Sequence, residues 1–426
     1  MRTGRSKAVC LFLFGKRIDC FNRYKLFTKV LRIRGLAMEK RCCKKNKGNQ
    51  PETEKSKENT VREKKQMGRQ SIVFSDRPVI LAASSVVGKK EGEGPLGGFF
   101  DEVEQDPMFG GKNWEDAESR MMRRTAERVI EKAGMVKEDI RFLVGGDLLG
   151  QLIATSFGIE TLEIPTLGVY GACSTMGESL LVAASLADSG YADRVMAITS
   201  SHFAGAEKQF RFPLGYGNQR PQAATWTVTG SGAVIVGSAM YHDAAGTKTK
   251  VISDSEKDSA IESQGMKGRK ICVAAATVGK IVDFGVKDSM NMGACMAPAA
   301  ADTIARHLLD FGVGPGYYDK IITGDLGYVG KDILVDLLLQ KGYDIGKNHM
   351  DCGIAIYDRE TQDTHSGGSG CGCSAVTLSA YILRNMCGGK WNRVLFVPTG
   401  ALLSTVSFNE GQSVPGIAHA VVLEAE

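Results

Sequence analysis

No run of apolar residues in this chain approaches the ~20 needed to cross a bilayer. The one early patch, Ala8 to Phe14, is short, is followed by Lys16 and Arg17, and has no small-residue cleavage site. Neither a membrane span nor a secretory signal is expected from it. A disulfide framework is also missing, because the eleven cysteines, at 10, 20, 42, 43, 173, 272, 295, 352, 371, 373 and 387, are odd in number and irregular in spacing. That pattern fits a reducing compartment. Cys371-Gly-Cys373 lacks a second ligand pair at zinc spacing, so no metal site is expected.

Aromatic residues make up only 7% of the 426 residues, against 43% hydrophobic residues overall. A soluble α/β protein with room for two domains or two halves follows. The formal net charge of +5 hides an asymmetry. Residues 1–66 hold 20 Lys and Arg against 6 Asp and Glu, leaving 33 against 42 for residues 67–426. The acidic remainder argues against nucleic acid as a partner of the core.

Residues 1–66 are basic and polar, read as a disordered extension, and give way abruptly at Met67 to SIVFSDRPVILAASSVVG. A native start at or near Met67 is one reading. A membrane-surface tail is the other, because Lys and Arg alternate with Phe, Leu and Ile between residues 16 and 34. From Ile72 onward strands alternate with helices, including a strand at Val79 to Ala83, an amphipathic helix at Asn113 to Ala133, and strands at Ile140 to Val144 and Arg194 to Thr199. Such alternation predicts a mainly parallel sheet covered on both faces. The irregular stretch His202 to Gln222 shows no helical period and reads as a lid or pocket wall.

The centre of this pattern is Gly168 to Asp193, a strand end, a small-residue turn carrying Cys173, and a helix that stops at Gly190. At a helix mouth the unpaired N–H groups and the dipole favour an anion, which lowers a thiol pKa and activates the sulfur. The alternative is a small buried packing residue. The second half repeats the first: IITGDLG at 321–327 answers LVGGDLLG at 143–150, so Asp325 matches Asp147. SGCGCSAVTLSAYILRNMCGGKWNRVLFVPT at 369–399 lies over residues 170–199 with a slip of one residue. With Gly190 set against Gly389, Gly372 falls opposite Cys173, and the two helix mouths should meet at one central site. The expected division is an N-terminal half at 67–240, a linker at 241–270 and a C-terminal half at 271–426.

The cysteine turn, the repeated half and the stretch His365 to Cys371 together resemble the thiolase and β-ketoacyl synthase superfamily. Within it, GVYGACSTMGESL, RFPLGYGNQRPQAATWTVTGSGA, HSGGSGCGCSAVTL and VLFVPTGALLSTVSFNEGQSVPGIAHAVV are similar to a sporulation family, the stage V sporulation AD proteins, over about residues 70–426. The resemblance implies a thiolase-like α/β fold of two pseudo-twofold halves and a homodimer. It implies binding of dipicolinic acid, with or without calcium, and support of its transport across the inner spore membrane beside other stage V sporulation A membrane proteins, in sporulation and germination. A peripheral location at that membrane and no further cofactor go with it.

The same resemblance places Cys173 at the nucleophile position and His365 at the second-half histidine. It departs at ITGDLG, where condensing enzymes carry histidine and this chain carries Asp325. A carboxylate there raises a thiol pKa and cannot stabilise an oxyanion, so catalysis is not expected. Active acyl transfer through Cys173 is the rival reading, and an interaction-only role a third. The expected ligand-binding residues are Cys173, His365, Asp147, Asp325, Ser174 and Gly372. Asp147 and Asp325 have a second reading as caps of the turns after their strands. The other histidines carry no partner pattern.

Overall fold

The computed structural model describes residues 65–210, 220–242, 248–250 and 268–426. Most of the extension and most of the 241–270 linker lie outside them. The first half is built on β1 (Val79–Gly88), β2 (Phe142–Gly146), β3 (Thr166–Gly168), β4 (Arg194–Ser201) and β5 (Gly230–Gly237). The second uses β6 (Ile271–Thr277), β7 (Lys320–Thr323), β8 (His349–Asp351), β9 (Arg393–Val397) and β10 (Ala420–Ala425). In space the order is β8-β7-β9-β10-β6-β1-β5-β4-β2-β3, a palindrome of the two halves. Within each half one strand, β5 or β10, runs against the other four. The α/β class and the mainly parallel, pseudo-twofold arrangement are as the sequence implied. The halves join where β6 runs antiparallel to β1, at Cys272 with Val79, and to the short strand Ser71–Val73.

The central strands β1, β5 and β6 are buried on both faces, which explains their continuous Val, Ile and Ala runs. Helix α1 (Trp114–Lys132) begins where predicted, with the Asn113 side chain accepting from the Asp116 N–H at 2.8 Å. Helix α2 (Thr175–Asp188) follows the Cys173 turn, and α3 (Phe203–Phe210) occupies the start of the stretch read as irregular. That expectation is corrected: FAGAEKQF is a short amphipathic helix whose Gly205, Ala206 and Glu207 are buried. Residues 211–219, the rest of the expected lid, lie outside the described residues.

Helix α4 (Cys371–Thr377) belongs to the second half yet crosses the sheet of the first. A Cβ at Gly232 of β5 would sit 2.4 Å from the Ala375 carbonyl, so only glycine lets this helix so close. Reciprocally, Gly177 of α2 packs on Pro398 of the second half. Each half's helix mouth is thereby pressed into the other half, and both point to one place.

Candidate functional site

Two tight turns deliver two cysteines to that place. Ala172, immediately before Cys173, has φ of 50°, and Gly370, immediately before Cys371, has φ of 101°. For alanine the left-handed conformation costs about 1 kcal/mol. It turns the chain from strand to helix within one residue. Cys173 and Cys371 meet in one buried cluster with Leu148 and Ala206. The mate of Cys173 is therefore Cys371, not Gly372. The extra residue of the second half is absorbed by a π turn at Leu378–Ile382, downstream of the helix mouth, so alignment from the terminal glycines runs one residue out.

Cys173 lines a narrow cavity of about 30 Å³, enough for a water-sized group. Tyr170, Ala172, Ala206, Thr227, Ser369 and Gly370 are among its walls. Leu148, Tyr170, Phe210 and Leu403 form a neck shared with an outer cleft of about 450 Å³. Loop residues 398–401 seal the far side: a Cβ on Gly400 would lie 2.2 Å from the Gly171 carbonyl oxygen.

Asp325 stands behind Cys173 and Gly370, fully buried. Its Oδ1 accepts from Thr399 Oγ1 at 2.7 Å and its Oδ2 from the Gly370 N–H at 3.0 Å. Burial pushes its carboxyl up to about 7 despite these bonds. The Cys173 thiol lies well above its ordinary value, chiefly from burial and then from the Asp325 charge. The helix-mouth expectation of an activated thiolate is thus overturned, since the Gly370 N–H alone works against burial.

The remaining expected site residues are placed elsewhere. Asp147 is buried and accepts from Leu149 N at 2.7 Å, Thr155 N at 2.8 Å and Thr155 Oγ1 at 2.5 Å, which makes it a cap for the following turn and helix. Ser174 Oγ donates to the Gly171 carbonyl at 2.7 Å and closes the turn. Gly372 donates its N–H to Ser201 Oγ at 3.1 Å, and a Cβ on it would meet the Gly230 carbonyl at 2.3 Å. His365, at φ of 53°, turns its Nδ1 to the Pro221 carbonyl at 2.9 Å and its Nε2 to Asp363 at 3.1 Å. None of these four lines the Cys173 cavity, because each is committed to holding its own loop. Sequence reasoning missed Leu148 and Leu403, which come from distant segments with no shared motif, whereas Phe210 falls in the stretch read as a lid or pocket wall and does line the cavity. It also missed Cys371, whose signal is the glycine before it. Among the described residues no group of three His, Cys, Asp or Glu side chains is placed to hold a metal.

Residues 68–424 match the family model for stage V sporulation protein AD. The stage V sporulation protein AD of Bacillus subtilis (strain 168) is 42% identical over 357 residues, covering 84% of this chain and 97% of that protein. The chain belongs to the stage V sporulation protein AD family. It is a sporulation protein, and no helix among its described residues is long and apolar enough to cross a membrane. Solved structures similar to it include the 3-oxoacyl-[acyl-carrier-protein] synthase III of Aquifex aeolicus VF5, at 13% identity and a TM-score of 0.45, covering 82% of this chain and 99% of that one. Human mitochondrial 3-ketoacyl-CoA thiolase in complex with CoA is similar at 13% identity and a TM-score of 0.47, covering 82% and 98%.

Proposed function

We propose that this protein binds dipicolinic acid at the Cys173 cavity without catalysis and supports its movement across the inner spore membrane beside other stage V sporulation A membrane proteins. The observation that carries the non-catalytic reading is the pairing of a buried, protonated Cys173 with the Asp325 carboxyl in a cavity that no described histidine lines. Acyl transfer needs a thiolate, a base and oxyanion donors. Here burial and a neighbouring carboxyl both oppose the thiolate. A ligand with a flat ring and two small end groups suits the shape of the space, whose lining includes the buried Glu207: one carboxylate enters the inner cavity, and the ring rests in the neck between Tyr170 and Phe210. The second carboxylate reaches the outer cleft, open to solvent, where a calcium ion travelling with the ligand has room.

Asp325 is neutral below about pH 7 and then does not repel the entering carboxylate. Binding should draw a proton onto it and weaken as pH rises above that value. Calorimetric titration with dipicolinate and with acyl-coenzyme A tests the reading. Saturable heat with dipicolinate alone is expected; heat with acyl-coenzyme A alone, or an acyl adduct on Cys173, would overturn it.

A homodimer is part of the same proposal. The edge strand β3 pairs on one side only and is exposed throughout, with Leu167 and the nearby Phe157 facing solvent. An unpaired edge of this kind is a template for a second copy.

A further inference from the structure

Glu118 of α1 is fully buried beneath α3. Its Oε1 accepts from Ser200 Oγ at 2.9 Å, while its Oε2, sealed from solvent, has no hydrogen-bond partner. An interior carboxylate oxygen left unanswered is costly, so the acid keeps its proton in the closed fold. That oxygen lies against α3: a Cβ on Gly205 would stand 3.5 Å from it.

The groups packed around it supply no counter-charge. Asp147, just after β2, and Glu115 on α1 are carboxyls, and their charges raise the Glu118 pKa beyond what burial alone does. Cys371 at the start of α4 is a buried thiol whose own pKa the Glu118 charge helps to raise. The His202 ring is pushed toward its neutral form by burial and is bonded to the Pro107 carbonyl at 2.8 Å and the Ala204 N–H at 3.2 Å. On α3 itself Glu207 is buried, and Lys208 is paired with Glu115 at 2.6 Å.

Helix α3 is also a wall of the Cys173 cavity. Ala206 and Phe210 line it, and Phe210 belongs to its neck. We propose that Glu118 is a pH-operated latch on this wall, which lies closed while the carboxyl keeps its proton and is released as pH rises. An ionised Glu118, unpaired and beside Asp147, is relieved by lifting α3 to admit water, and the neck then widens at Phe210. The inference does not depend on what the cavity binds.

Hydrogen exchange of the ligand-free, full-length protein, read by mass spectrometry from about pH 6 to about pH 9, tests it. Protection of the α3 amides, corrected for intrinsic base catalysis with an unstructured peptide of the same sequence, should fall about tenfold or more across this range in the wild type. It should stay level in Glu118→Gln, which keeps an oxygen for Ser200 and carries no charge. A level profile in the wild type would overturn the inference. So would an equal fall in Glu118→Gln, because that variant retains Asp325, the cavity carboxyl that sits at about 7. Asp147→Asn removes the neighbouring charge and should move the fall to higher protection at a given pH only if Glu118 is not the latch; the latch predicts a fall that begins at lower pH. That variant keeps the test valid if Glu118→Gln fails to fold, and an unmoved fall in it would also overturn the inference.

Discussion

Replacing Asp325 with asparagine should make the protein more stable at pH 8 and less stable at pH 4. The carboxyl sits at about 7 in the fold against 3.8 for its ordinary value, because it is buried, and hydrogen bonds from Thr399, the Cys173 thiol and the Gly370 N–H offset that burial only in part. A carboxyl raised on folding holds its proton in the native state after the unfolded chain has lost it. Stability therefore falls as pH rises from about 4 to about 7 and is flat above that. At about 1.4 kcal/mol per tenfold change in proton affinity, the penalty at pH 8 is about 4 kcal/mol. Asparagine carries no charge but has one acceptor oxygen where the carboxylate has two. Losing the bond from Gly370 or Thr399 costs about 1 kcal/mol at every pH. The net expectation is a gain of about 3 kcal/mol at pH 8 and a loss of about 1 kcal/mol at pH 4. Urea unfolding of wild type and Asp325→Asn across this range measures it. Glu91, Glu118, Asp147 and Asp351 are also buried and raised, but they are common to both proteins and cancel in the difference. Parallel stability curves for the two proteins would refute the reasoning and show that Asp325 is ionised at neutral pH.

The Cys173 thiol should alkylate with iodoacetamide at pH 8 about tenfold or more slowly than a free thiol, because burial and Asp325 suppress its thiolate; a rate equal to free cysteine would show an activated sulfur. Gly400→Ala should cost about 1–3 kcal/mol in urea unfolding, since the new methyl lands 2.2 Å from the Gly171 carbonyl oxygen and pushes on the Cys173 turn. Gly389→Ala, at φ of 79° with open space around it, should cost only about 1 kcal/mol of backbone strain. Thr166→Pro, which removes an N–H on the open side of the edge strand, should convert a dimer to monomer in light scattering, with little change in the unfolding midpoint of the monomer; an unchanged mass would place the dimer interface elsewhere.

Strand positions, the helix starting at Asn113 and the duplication were legible because each rests on local pattern: apolar runs, an amphipathic period, a repeated IITGDLG. The register of the repeat was not, because the π turn at Leu378–Ile382 inserts its residue inside a helix, where no glycine or proline marks it. His365 matched a motif by spacing, yet its side chain is claimed by Asp363 and Pro221, a choice made by loop geometry at a positive φ that sequence does not display. Asp147 and Asp325 are repeat partners with the same neighbours in sequence. They part company in three dimensions because Asp147 caps its own turn and helix through Leu149 and Thr155, while Asp325 faces Thr399 and the Cys173 turn of the other half. Burial, which decides the state of Cys173, depends on the packing of both halves and outweighs the helix-mouth field that its local sequence offers.

The central claim is that the Cys173 cavity receives a carboxylate and performs no acyl chemistry. A crystal structure of the protein soaked with dipicolinate tests it most directly. The account predicts one carboxylate in the inner cavity beside Cys173 and Gly370, the ring in the neck between Tyr170 and Phe210, and an unmodified sulfur. An empty cavity at saturating ligand, or density continuous with the Cys173 sulfur after exposure to acyl-coenzyme A, would contradict it.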